Sequence, residues 1–251
     1  MGLTGQARKY ELIDTDIVTT LDGRTLKRIR SLVVIAALSV APGDLGGYVE
    51  SDASLSHDGN AWVSDNARVS NNARVSGNAW VSGNAWVSDN ARVSDNAWVS
   101  DNARVSDNAR VSGKARVSGK AWVSDNALVS NNARVSDNAW VSGNARVSRK
   151  AWVSDNARVS DNARVSGNAR VSPVQITGLR WPVTICDHVM TIGCQTHALS
   201  AWEAFSDGEI EAMDGPDALQ FWRSNKDALL ALARGAGRSF EAAVDPAESE
   251  Q

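Results

Sequence analysis

Four residues in the C-terminal quarter carry the chemistry that is easiest to name. Cys186 with His188, and Cys194 with His197, stand as Cys-x-His and Cys-x-x-His. Thiolate and imidazole at such spacings can ligate zinc. The competing reading makes the cysteines small buried hydrophobes and puts the histidines at turns. Cys194 and His197 could also act as nucleophile and base, but no third group is in view to orient the imidazole. The remaining histidine, His57, lies near the other end of the chain. Two cysteines make no disulfide framework and give weak support to a reducing compartment.

Most of the side chains between these two regions sit on a phrase of six residues, Asn-Ala-x-Val-Ser-x, which runs unbroken from Asn60 to Ser172. Valine recurs at every sixth position from Val63 to Val171, and alanine from Ala61 to Ala169. Ala-x-Val has strand periodicity, with both apolar residues on one face and x on the other. Ser, Asp, Asn and Gly supply a corner, because they tolerate or stabilise turn conformations. A period of six marks a parallel β-helix. Three hexads close a triangular coil of 18 residues, so the repeats fill six to seven coils, stacked about 4.8 Å apart. Each inward Val contributes about 1.5 to 3 kcal/mol. That must offset the ordering of its hexad, so the stack is stable only cooperatively.

With 18 residues per coil the x positions fall into three outward columns. Trp62, Trp80, Trp98, Arg116, Arg134, Trp152 and Arg170 form the first. Arg68, Trp86, Arg104, Trp122, Trp140 and Arg158 form the second. Arg74, Arg92, Arg110, Leu128, Arg146 and Arg164 form the third, which holds no tryptophan. Broad Trp and Arg side chains can simply shield strands and stack on one another. They can also be interfaces: the Trp columns for a protein partner, the Arg column for nucleic acid or another polyanion.

Val63-Ser64-Asp65-Asn66-Ala67-Arg68 resembles the hexapeptide pattern of the left-handed β-helix family. That resemblance, rather than physics, supplies the left hand, because parallel crossovers are otherwise right-handed. The stretch Gly43-Asp44-Leu45-Gly46-Gly47-Tyr48-Val49, with Ser54-Leu55-Ser56 and Gly59-Asn60-Ala61-Trp62-Val63, is similar to the start of the coil in bacterial and phage-borne hexapeptide-repeat proteins. Some of those are labelled acetyltransferases on repeat content alone. The resemblance implies that Val49 and Leu55 open the coil, with two inserted residues before Val63. It also implies side-by-side homo-oligomers, with a trimer favoured. Ile192-Gly193-Cys194-x-x-His197 and Trp202-x-x-Phe205 resemble a short ββα tail found after such repeats in phage-type proteins. An acyltransferase of this family, dependent on acetyl-CoA, needs a histidine base at one level. His57 is the candidate, and no cofactor is otherwise implied.

The chain has 251 residues and a net charge of −3, ordinary for a globular protein. Residues 60–172 are basic and the flanks acidic, which allows a polyanion ligand or pairing between rod and flanks. Residues 1–47 are expected to be a small β cap, with strands over Lys9–Asp14 and Arg24–Ala41 about the Asp22-Gly23 turn. The coil is expected over 48–172. A small α+β domain follows over 173–235, with strands at Trp181–Cys186 and Val189–Cys194, a capping box at Ser206–Glu209 and a helix ended by Gly235. Residues 236–251 read as a disordered acidic tail. The apolar run Leu32–Ala41 imitates a signal-peptide core, but it is too short to span a bilayer and reads as strand. Gln6 stands where a myristoylation motif needs Ser or Thr. The fold class is mainly β. The expected role is a non-catalytic, self-associating scaffold of phage or mobile-element origin, cytoplasmic and without membrane contact.

Overall fold

A computed structural model describes residues 8–167, 169 and 173–241. Strands β1 (Tyr10–Thr19), β2 (Thr25–Ser31) and β3 (Leu45–Val49) come first. Two-residue strands follow, one per hexad, from β4 (Trp62–Val63) to β21 (Arg164–Val165). Next come β22 (Val174–Ile176), β23 (Val183–Ile185), β24 (Val189–Ile192) and β25 (Gln195–Ala198). Helices α1 (Leu199–Ala204) and α2 (Asp207–Gly235) close the described chain. Gln6, Arg170, Val171 and the tail from residue 242 lie outside the described residues.

The hexads build a parallel β-solenoid of about seven turns with 18 residues per coil. Each strand pairs in parallel with the strand 18 residues on, as in Val81 with Val99 and Val99 with Val117. The inward Ala and Val side chains are essentially inaccessible and form one continuous core. Coils are tied by backbone N–H groups that reach the carbonyl seventeen residues later: Trp80 to Ala97, Ser82 to Val99 and Asn84 to Asp101. Each alanine N–H closes the corner onto its own serine carbonyl, as Ala85 does to Ser82.

The residue after each serine is left-handed, with φ from +56° at Asp65 to +78° at Gly167. Asp, Asn and Gly reach that region at low cost, which explains their monopoly of the position. Arg149, at φ +61°, is the exception. Where Gly fills it, the coils also draw closer. A Cβ on Gly119 would lie 2.7 Å from the Asp137 nitrogen. Asparagine side chains form axial ladders outside the corners, such as Asn108 to Asn126 to Asn144 to Asn162.

A parallel stack has unlike ends. Most coil-to-coil bonds run from N–H to a later C=O, while the strand pairing also returns bonds in the other sense, so the first coil presents an excess of spare carbonyls and the last an excess of spare N–H groups. The N-terminal segment supplies donors. Lys9 Nζ donates to the Ala61 carbonyl at 2.7 Å, and Tyr10 Oη to Leu55 and Asp52 carbonyls at 2.9 Å each. Strand β3 pairs antiparallel with β2 and parallel with β5 (Arg68–Val69), so the β1–β2 hairpin extends one wall of the solenoid. Val49 pairs with Val69 and Leu55 bridges to Val75, twenty residues apart, which places the two-residue insertion before Val63 as expected. At the other end the Gln175 amide meets both backbone groups of Ser160: Oε1 takes the N–H at 3.1 Å, and Nε2 donates to the carbonyl at 3.4 Å. Cys186 is buried in the solenoid core at this end.

Three expectations need correction. Leu32–Ala41 is not a strand. It is an excursion with a single turn of 3₁₀ helix at Ala36–Leu38 and a bridge from Ile35 to Val40, because Ser31 already pairs with Gly43 and Asp44. The C-terminal unit is not ββα: β22 and β25 flank the expected pair in a four-stranded antiparallel sheet. Its second core lies between this sheet and the helices and includes Leu199, Trp202, Trp222 and Leu230. Residues 236–241 are not disordered tail. Gly237 turns the chain, Phe240 packs on that core and the Ser239 N–H meets the Asp187 carbonyl at 2.8 Å. The Ser206–Glu209 capping box is present, and the helix breaks at Asp214 and Gly215 just before Pro216.

The strain at Arg149 and the buried ammonium of Lys9 each give a test. Arg149→Asn should stabilise the protein by about 1 kcal/mol, seen as a higher urea midpoint. An unchanged midpoint would mean the corner carries no strain. Burial pulls Lys9 down to about 8, with the charge of Asp58 opposing. The native state therefore loses this proton before the unfolded chain does, and stability rises with pH from about 8 toward the ordinary lysine range. Tyr10, pushed up by burial, opposes this once free tyrosine begins to ionise near about pH 10. The melting temperature should climb between about pH 8 and about pH 10, and the climb should vanish in Lys9→Met.

Candidate functional site

The three columns are in strict register. The third face pairs Arg74 with Arg92, Arg92 with Arg110, Arg110 with Leu128, Leu128 with Arg146 and Arg146 with Arg164. These guanidinium groups stand on neighbouring coils about 4.8 Å apart at the backbone, where like charges cost about 1 kcal/mol per pair in water. Among the described residues none of the five arginines has a salt bridge. The corner aspartates are engaged elsewhere. Asp95 Oδ2 accepts the Gly113 N–H at 3.0 Å, Asp101 Oδ2 that of Gly119 at 3.0 Å, and serine hydroxyls such as Ser106 donate to the adjacent carboxylate.

This face is concave. A groove of about 750 Å³ is lined by Arg74, Arg92 and Arg110 together with Ser76, Ser94 and Ser112, and runs from His57 to Leu128. Two further hollows continue it along Leu128 and Arg146, and along Arg149 and Arg164. His57 closes the N-terminal end, where its ring is held among Lys9, Asp52 and Tyr10. Nδ1 accepts the Lys9 N–H at 3.1 Å, Nε2 lies 3.1 Å from Asp52 Oδ2, and the ring stacks on Tyr10. The arrangement fixes the cap and offers no lone pair to a substrate.

The Trp-bearing faces have a different character. Indole N–H groups are satisfied within the rod by the serine sixteen residues earlier: Trp80 to Ser64, Trp86 to Ser70, Trp122 to Ser106, Trp140 to Ser124 and Trp152 to Ser136. The rings stack along the column. Trp122 lies on Trp140 at 5.2 Å, Arg116 over Trp98 at 4.8 Å and Arg158 over Trp140 at 5.3 Å. Trp62 departs from its expected outward position: it is 1% exposed, in the same buried cluster as Tyr10, Ile29 and Ile35 of the N-terminal segment. Trp122, Trp140 and Trp152, at 38%, 36% and 41%, are the exposed tryptophans of the coil.

The two cysteines and two histidines of the C-terminal sheet do not converge. Cys186 is buried and its thiol is pushed up to about 12, mainly by burial and further by Asp187. Cys194 is exposed beside a small apolar cavity of about 40 Å³ lined by Trp181, Met213 and Trp222. His197 sits edge-on to Trp202 and Phe205 at 5.2 and 5.0 Å, and His188 lies at the β23–β24 turn. Among the described residues no three of His, Cys, Asp or Glu are grouped so as to hold a metal ion. The apolar cavity had no sequence signal, since its lining comes from the sheet and both parts of the broken helix.

A thiol reagent should modify one cysteine of the native protein promptly, and Cys194→Ser should abolish that reaction. Cys186 should react only after denaturation, because burial holds it as the thiol. Two equally fast thiols would contradict its place in the core.

Six stretches of the coil, residues 73–88, 85–101, 103–119, 127–143, 133–149 and 139–155, match the family described as YdcK Beta solenoid repeat. No curated protein matches the chain. No helix among the described residues is long and apolar enough to cross a membrane. Coils, register and family match agree: the chain is a β-solenoid repeat protein similar, over those stretches, to the YdcK repeat.

Proposed function

We propose that the protein is a non-catalytic interaction scaffold that associates side by side with copies of itself through its tryptophan-bearing faces. The observation that carries this reading is the exposure of Trp122, Trp140 and Trp152 on two adjoining faces of the rod. Exposed, pre-stacked aromatics lose little entropy on binding and are favoured at interface centres. Lys9 and Tyr10 at one end and Gln175 at the other occupy some of the backbone groups that axial stacking would need, which favours lateral contact. The trimer that the hexapeptide family favours is the expected state. The likeness of the coil's start to phage-borne chains supports a phage or mobile-element origin and a cytoplasmic setting.

The alternative, an acetyl-CoA-dependent acyltransferase, needs a free base at one level of the coil. His57 is held by Lys9 and Asp52, and the coils repeat nearly the same surface at each level.

Light scattering on a sizing column tests the proposal. The wild-type chain should elute as an oligomer, and the triple variant Trp122→Ser, Trp140→Ser, Trp152→Ser should lose mass while keeping its circular dichroism. A monomeric wild type would end the self-association reading. An oligomer unchanged by the triple variant would move the interface away from the tryptophans.

A further inference from the structure

We infer that the third face is a groove for a single linear phosphate chain, laid lengthwise along the rod and held through its phosphate groups alone. This uses a face that carries no tryptophan, so it stands or falls separately from self-association.

Its guanidinium groups form an aligned row, Arg74–Arg92–Arg110, which resumes past Leu128 with Arg146 and Arg164. The row has no carboxylate partner among the described residues, because corner aspartates such as Asp95 and Asp101 are tied to backbone amides of the next coil. The acids on the groove, Asp52 and Asp58, lie at its N-terminal end, where Asp52 meets Arg8 and His57. Over the remaining length no carboxylate among the described residues stands within ion-pair distance of the row.

The guanidinium fork matches phosphate oxygens in pairs, and the hydroxyls of Ser76 and Ser112 add donors along the same floor, while that of Ser94 is given to Asp95. The strict 18-residue register makes the row axial. A single flexible chain can follow it, whereas a duplex backbone winds away from a straight row. No aromatic residue stands among the x positions of this face, so it offers bases no aromatic stacking platform. Recognition is of the phosphate backbone, whether it comes from inorganic polyphosphate or from single-stranded nucleic acid.

The test titrates the full chain with labelled inorganic polyphosphate and with oligo(dT) of matched charge. Both should bind, and five neutralised phosphates should make binding roughly hundredfold weaker on going from about 50 to about 200 mM salt. Arg92→Thr with Arg110→Thr should weaken both ligands by about tenfold or more, with no fall in melting temperature, since Thr suits a strand and repulsion is relieved. Arg92→Lys with Arg110→Lys, which keeps the charge and guards against a misfolded Thr pair, should weaken binding severalfold and keep the salt slope. Arg104→Thr on the second face should leave affinity unchanged. The inference is overturned if neither ligand binds at low salt, or if both double variants bind like wild type. It is equally overturned if oligo(dT) binds and polyphosphate does not, which would give the bases a role. Heparin binding more tightly than either phosphate chain would reassign the groove to a sulfated polysaccharide.

Discussion

Each coil depends on backbone N–H groups finding the carbonyl seventeen residues later, and that match is possible only if the chain turns the same corner every six residues. The left-handed residue after each serine makes the corner, and the Ala N–H to Ser carbonyl bond locks it. One residue more or less in a hexad would move Val and Ala off the inner face and break the axial ladder at once. The small core residues follow from the same constraint. A triangle closed by three two-residue strands has room for Val and Ala and little else, so the solenoid gains its stability from repetition rather than from large buried side chains.

That ladder has a direction, and the direction explains the flanks. More carbonyls than amides are left over at the first coil, and more amides than carbonyls at the last. The donors Lys9 and Tyr10 serve one end, and at the other the Gln175 amide both accepts the Ser160 N–H and donates to the Ser160 carbonyl. Burying an ammonium is costly, and Lys9 bears that cost in its lowered proton affinity. The first coil is met by these polar groups as well as by the apolar side chains of Tyr10, Ile29 and Ile35, which share its buried cluster.

Charge on the rod is also arranged by the register. Aspartates sit at corners, where they accept backbone amides and serine hydroxyls. Arginines sit mid-strand, where on two faces they can lie over indoles, as Arg116 does on Trp98 and Arg158 on Trp140. On the third face no indole is available, and the arginines line an open groove. The contrast between the faces arises from which x position holds tryptophan, since the backbone beneath all three is the same.

The coil, its 18-residue period, the three columns, the two-residue insertion before Val63 and the capping box at Ser206 could all be read from the chain. Each is a local or periodic pattern, and a period needs no knowledge of distant contacts. The tertiary structure decided what periodicity cannot encode. Trp62 is buried, in the cluster that also holds Tyr10, Ile29 and Ile35 of the N-terminal segment. His57 anchors a cap because Lys9 and Asp52 meet it from two directions. Cys186 belongs to the solenoid core while Cys194 faces outward, so a spacing that suggested zinc brings no ligands together. Leu32–Ala41, apolar enough for a strand, found no free neighbour to pair with once Ser31 had closed onto Asp44. Repetition fixed the rod, and the ends and the single histidines depended on partners far away in sequence, which only folding brings within reach.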